Sequence, residues 1–183
     1  KIAYTLKKAY SSSNKKYDIL FIGYLEWPPN EVAVRWFIEE IMPLITKKIS
    51  SAQFHVVGNK NPKLDDLRKN KNVIFHGYQK NIDKFIGASK IFVLPFKTGA
   101  GVRIKSLTAL QNGVPIVSTK LGIDGLNLAE NQHYLAAETS QEFANQVVKF
   151  LQNKALRDRI GKEAIKYFIN NHSKKNNQVF LKE

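Results

Sequence analysis

Ile91-Phe92-Val93-Leu94-Pro95-Phe96-Lys97-Thr98-Gly99-Ala100-Gly101-Val102-Arg103-Ile104-Lys105 is the stretch on which the reading of this chain turns. Ile91–Pro95 is a short, continuous apolar run, the pattern of a strand buried on both faces in a parallel sheet. A helical pattern follows from Val102 to about Gln111 and stops at Asn112-Gly113, an ordinary C-terminal signal. Between strand and helix lie two glycines, which let the backbone approach a ligand closely. The free N–H groups at a helix N-terminus favour an anion. Arg103 and Lys105 fall in the first turn, where a cation is unfavourable by a few tenths to about 1 kcal/mol unless an anion is bound. Strand, Gly-x-Gly and a basic first helical turn therefore point to a phosphate or diphosphate. The same letters also describe a glycine turn that only connects strand to helix. They do not form a Walker A loop, which needs Lys and then Ser or Thr after the last glycine. The dinucleotide fingerprint belongs after the first strand, and that strand here ends in Gly23-Tyr24-Leu25-Glu26-Trp27-Pro28-Pro29, with one glycine.

Outward from this stretch the chain alternates. Ile19–Ile22 before Gly23, Gln53–Gly58, Val73–Gly77, Pro115–Ser118 and His133–Ala136 read as further strands, giving about six. Between them a helix is predicted from an Asn30 N-cap, with Val34, Phe37, Ile38, Ile41, Leu44 and Ile45 on its apolar face. Pro43 should kink or break that helix after Met42. Short helices are predicted at 62–69 and 81–87, and two longer ones at about 140–152 and 154–170. Strands alternating with helices specify an α/β, doubly wound, Rossmann-like parallel sheet. Ligands of such a sheet bind at the carboxyl ends of the strands, here after Gly23, Gly58, Gly77, Pro95 and Ser118. Residues 1–17 read as a linker or the tail of a preceding domain, 18–172 as the domain, and 173–183 as a C-terminal tail. The chain starts at Lys1 rather than Met, which reads as a piece of a longer protein.

The 183 residues suit one domain, and 43% hydrophobic content supports a packed core. There is no cysteine, which excludes disulfides, thiolate metal sites and a cysteine nucleophile. His55, His76, His133 and His172 have no metal-ligand spacing, and His55 and His76 read as packed or edge residues of strands. No metal site is predicted. Trp36 reads as packing, Trp27 as a rim or interface residue. No apolar run approaches the roughly 20 residues of a membrane-spanning helix. The net charge of +14 is spread rather than striped. Most of it reads as solvated lysine, and the remainder as suited to an anionic membrane surface. Nucleic acid is a poor third partner, since no docking motif is present.

From about Asp18 to His172 the pieces together resemble the C-terminal domain of the retaining GT-B glycosyltransferases of group 1. They are Phe21-Ile22-Gly23, Trp27-Pro28-Pro29-Asn30, Arg35-Trp36-Phe37, Ile41-Met42-Pro43, Val56-Val57-Gly58, Val73-Ile74-Phe75-His76-Gly77-Tyr78, Val93-Leu94-Pro95-Phe96, Gly99-Ala100-Gly101-Val102-Arg103-Ile104-Lys105, Gly113-Val114-Pro115-Ile116-Val117-Ser118-Thr119 and Gly122-Ile123-Asp124-Gly125-Leu126. The resemblance implies half of a two-domain architecture, in which this domain holds a nucleotide diphosphate sugar and a missing N-terminal domain holds the acceptor. It implies a glycosyltransferase of polysaccharide assembly, cytoplasmic or peripheral on the inner face of the membrane, working with no cofactor and no metal. It makes Arg103 and Lys105 the catalytic diphosphate clamp, and Gly23, Gly58, Gly77, Gly99, Ala100, Gly101 and Thr108 the donor-binding set. Two glutamates common among relatives correspond to Ala100 and Thr108, and the basic residues of their first loop give way to Glu26. The alternative is a non-catalytic domain of the same fold with an assembly or regulatory role.

Overall fold

The computed structural model describes residues 15–99 and 104–172. Six strands form one all-parallel sheet: β1 (Tyr17–Ile22), β2 (Phe54–Val57), β3 (Val73–Phe75), β4 (Ser89–Leu94), β5 (Ile116–Ser118) and β6 (Leu135–Ala136). Their order is β3-β2-β1-β4-β5-β6. From β1 the chain builds outward through β2 to β3, then returns to start β4 on the other side of β1. The direction of growth thus reverses between β1 and β4, the place where such sheets open a crevice. Register is set by facing apolar residues: Ile19 lies opposite Phe54 on one side and Ile91 on the other.

The helices are α1 (Pro28–Trp36), α2 (Met42–Thr46), α3 (Ile82–Gly87), α4 (Ile104–Gln111), α5 (Ser140–Gln152) and α6 (Lys154–His172), with 3₁₀ helices at Pro62–Lys69 and Leu121–Ile123. α2 packs with α5, and α4 with α3 and α6. Strand residues such as Ile19, Leu20, Phe54, Val56, Phe92 and Val117 are fully buried because both sheet faces are covered. Seven phenylalanines (Phe21, Phe37, Phe54, Phe92, Phe143, Phe150 and Phe168) are fully buried, each worth roughly 1.5–3 kcal/mol against exposure. Phe37 stacks at 4.2 Å on Phe54, and Phe143 meets Phe37 edge-on at 5.8 Å, which ties α5 through the first helical segment to β2.

Two expectations for the first helix are corrected. Its N-cap is Trp27, not Asn30, and Pro28 and Pro29 occupy the first helical positions. Proline is tolerated there because its missing N–H would be unpaired anyway. The kink or break expected after Met42 lies upstream of it instead. The helix widens into a π-helical turn at Phe37–Ile41, and the Met42 N–H reaches back to the Phe37 carbonyl before α2 continues through Pro43. An α-helical path would press the Pro43 ring on the carbonyl four residues earlier, at Glu39. The wider turn removes that clash upstream of the proline.

Later helix ends follow simpler rules. Thr139 and Glu142 form a reciprocal capping box at the start of α5. At its other end the buried Arg157 side chain donates to the carbonyls of Phe150 and Leu151, the second at 3.0 Å.

Candidate functional site: a groove at the switch point

β1 and β4 end side by side at Ile22 and Leu94, and the loops leaving them diverge. Between them lies a cleft of about 520 Å³, lined by Ile22, Tyr24, Trp27, Asn30, Ile82, Leu94, Phe96, Ile104 and Lys105. A second cleft of about 450 Å³ lies over the ends of β1 and β2, lined by Ile22, Gly23, Tyr24, Val57, Gly58, Asn59, Tyr78, Gln79, Lys80, Ile82 and Lys105. Ile22, Tyr24, Ile82 and Lys105 belong to both. The two are lobes of one groove along the carboxyl edge of the sheet.

Lys105 is the electrostatic centre. It stands in the first turn of α4, half-buried, and burial holds its ammonium below the usual lysine range. None of the ion pairs among the described residues includes it. A desolvated cation without a carboxylate, facing an open groove, is poised for an anionic ligand. The floor beneath it, made by Ile22, Leu94 and Phe96, is apolar and lowers the local dielectric, which strengthens that attraction.

The glycines at strand ends are required by close approach. A Cβ on Gly58 would come within 2.1 Å of the Gly23 carbonyl oxygen, and one on Gly23 within 2.7 Å of the Asn30 amide nitrogen. Gly58 N–H donates to the Gly77 carbonyl at 3.1 Å, and Gly77 itself holds φ +70°. Gly23 and Gly58 line the groove; Gly77 stands just before the lining residues Tyr78, Gln79 and Lys80. Gly99 has φ +93°, a left-handed conformation that glycine adopts without strain. Ala100, Gly101 and Arg103 lie outside the described residues. Thr108 is buried within α4 and is not among the residues lining either lobe.

Three asparagines hold the loop after β1: Asn59 and Asn61 were not anticipated from the sequence, and Asn30, expected as an N-cap, acts through its amide instead. Asn59 Oδ1 accepts from the Leu25 N–H at 2.7 Å, Asn61 Nδ2 donates to the Leu25 carbonyl at 2.7 Å, and Asn30 Nδ2 donates to the Tyr24 carbonyl at 2.8 Å. At the other end of the first helix the Trp36 indole N–H bonds Glu40 and Ser140, and Lys97 sits over its ring at 4.1 Å. The Ser140 hydroxyl on Glu40 keeps that carboxyl below its usual range. Of the two histidines read as packed or edge residues, His55 is buried in β2 and His76 half-buried just past the edge strand β3, with His55 Nδ1 and His76 Nε2 2.9 Å apart beside Tyr17 and Phe85. No group of three or more metal-ligating side chains exists among the described residues. Nor is any described helix long and apolar enough to cross a membrane.

Fold and groove together define a class: a doubly wound domain of the kind that forms the C-terminal half of GT-B glycosyltransferases. The family model for Glycosyl transferases group 1 matches residues 16–153, and the chain belongs to that family. A protein encoded in the cps region of Klebsiella pneumoniae, of uncharacterized function, is 25% identical over 167 residues, which are 86% of this chain and 43% of the relative. The chain thus spans less than half of that relative's length. Among solved structures, S. aureus TarM superposes with a TM-score of 0.80 at 18% identity, over 98% of this chain and 37% of its own. The C-terminal domain of the Francisella tularensis group 1 glycosyl transferase LpcC does so at 0.73 and 18% identity, over 90% of this chain and 96% of that domain. Anabaena HepE, in complex with UDP, follows at 0.69 and 15%, over 91% and 48%.

Proposed function

We propose that this chain is the donor-binding half of a retaining glycosyltransferase. It takes a nucleotide diphosphate sugar along the groove and is completed by an N-terminal domain that holds the acceptor. The observation that carries this is Lys105: a desolvated ammonium with no ion-pair partner among the described residues, in the first turn of α4, at the switch point of the sheet. UDP in the TarM and HepE structures supports a nucleotide in this fold, and the cps-region relative supports surface polysaccharide assembly. In the reaction the bond from the sugar's anomeric carbon to the diphosphate oxygen breaks. The acceptor oxygen bonds to that carbon from the same face and passes its proton to the departing diphosphate oxygen, which leaves with the electron pair of the broken bond. Lys105, with Arg103, stabilises the charge that collects on the leaving diphosphate, so no metal is needed for that step.

Calorimetric titration with UDP, GDP and ADP tests the donor site. One of them is expected to bind saturably. Lys105→Ala and Arg103→Ala should each weaken it at least tenfold, about 1.4 kcal/mol or more, as loss of a charge-assisted hydrogen bond does. A folded chain that binds none of the three, or binds equally well without Lys105, would overturn the assignment. A second reading, a non-catalytic domain of the same fold, is favoured by Thr108, a neutral residue buried away from the groove. On that reading a folded wild-type chain binds none of UDP, GDP and ADP saturably; saturable binding of one of them removes it.

A further inference from the structure

Tyr24 lines both lobes of the groove, and Leu25 follows it in the chain. Leu25 is an anchor only 1% exposed, so its main-chain polar groups lie against the core and need partners. No neighbouring strand supplies them. The Leu25 N–H is taken by Asn59 Oδ1 and the Leu25 carbonyl by Asn61 Nδ2, each at 2.7 Å, from the segment that follows β2. The two asparagines are held in turn. Asn59 Nδ2 donates to the Lys60 carbonyl at 3.1 Å, and Asn61 Oδ1 accepts from the Lys63 N–H at 3.0 Å while its amide also reaches Glu31 at 3.2 Å. The orientation of each amide is therefore dictated by its partners.

We propose that Asn59 and Asn61 are positioning residues of the donor groove. They hold Leu25 by both of its main-chain polar groups, so that Tyr24, which lines both lobes, is fixed in place and the nucleotide enters a groove already built. This rests on the donor-site reading above. A ligand that meets a prebuilt groove loses no affinity to loop ordering, whereas a freed Tyr24-Leu25 stretch would have to be ordered at each binding event. The grip is also chemically asymmetric. Asn59 works on Leu25 as an acceptor, so an aspartate there keeps the bond. Asn61 works as a donor, so an aspartate there sets a carboxylate against the Leu25 carbonyl and Glu31.

The experiment uses the whole chain with Asn59→Ala, Asn59→Asp, Asn61→Ala and Asn61→Asp. Three readings are taken: hydrogen exchange of the Leu25 amide, thermal unfolding, and calorimetric titration with UDP, GDP and ADP and with the matching nucleosides. The nucleosides remove the repulsion between a new carboxylate and the diphosphate. Asn59→Ala is expected to unfold cooperatively, to lose protection at Leu25 and to bind about tenfold more weakly. Asn59→Asp should regain both the protection and the nucleoside affinity, to within about threefold. Asn61→Asp should regain neither. Should the buried Asn61 variants fail to fold, the Asn59 pair decides alone. Full affinity in Asn59→Ala with an unprotected Leu25 amide overturns the positioning role, and so does Asn59→Asp that restores nothing. A wild-type chain that binds no nucleotide overturns the donor site itself and this inference with it. Wild-type binding that ignores Asn59 overturns this inference alone.

Discussion

His55 and His76 share one hydrogen bond between ring nitrogens 2.9 Å apart, so one ring donates and the other accepts. Both rings cannot be charged while that bond stands. Burial pushes His55 down to about 4, helped by the neighbouring His76 and Lys16 and opposed by Asp18; His76 is lowered too, by burial and by Lys16. In the unfolded chain a histidine titrates near 6.5. Between about pH 6.5 and pH 4 the unfolded chain therefore binds protons that the folded one refuses. The stabilising effect is complete above pH 6.5 and drains away as pH falls towards 4, by roughly 3 kcal/mol for His55. Urea unfolding midpoints compared at about pH 7 and pH 4.5 should fall in the wild type and fall less in His55→Phe, which cannot titrate. Equal losses in the two proteins would remove the pair from the account. That both histidines pack was legible from their place in apolar runs. That they bond each other was not, because 21 residues separate them and only the β2–β3 pairing brings them together. The asparagine grip was hidden for the same reason: Asn59 and Asn61 lie 34 and 36 residues from Leu25 in sequence. Turn-forming residues in a loop carry no local sign of what they will hold.

Among the elements, the strands were the most legible, because a strand covered on both faces writes itself as an unbroken apolar run. Their ends shifted by a residue or two where ladder pairing continues past the run, as at Tyr17 opposite Ser89. The π-helical turn was invisible, since Phe37–Ile41 has ordinary helical spacing and only the distant effect of Pro43 widens it. The crossing of α4 and α6 was also hidden. Gly161 sits inside α6, where alanine would favour the helix by about 1 kcal/mol. It is glycine because a Cβ there would lie 2.3 Å from the Gly113 carbonyl oxygen, which belongs to backbone and cannot swing aside. Gly161→Ala should therefore destabilise by about 1–3 kcal/mol despite its better propensity. Calorimetric unfolding should show a midpoint lowered by about 2–4 °C for each kcal/mol. A raised midpoint would mean that α6 moves away from α4 at little cost.

At the scale of the whole molecule the groove is open along one side, and Tyr24, Trp27, Tyr78 and Ile104 stand exposed around it. The chain spans 43% of its relative's length, and on the function proposed above the groove is one wall of the complete site. The chain alone should accordingly bind donor but transfer no sugar. Incubation with nucleotide sugars and glycan acceptors, read by release of nucleoside diphosphate, checks this. Turnover by the isolated chain would mean that the acceptor also binds here. The charge of +14 adds little to the argument, because much of the basic α6 surface is already engaged: Lys154 with Asp158 at 2.8 Å, Lys166 with Glu163 at 2.6 Å, and Arg157 with the end of α5.

The strand order has one more consequence, and it concerns time. Of the six strands of this sheet, β1 leaves the ribosome first and ends at the middle of the sheet, yet its second neighbour is β4, with Tyr17 opposite Ser89. While β2 and β3 emerge and join on one side, the other side of β1 keeps a row of unpaired backbone groups next to the most apolar residues in the chain. A growing polypeptide of this kind carries an open seam through its own centre until β4 is made. It is during synthesis, rather than in the finished domain, that this protein is most exposed to pairing with the wrong strand.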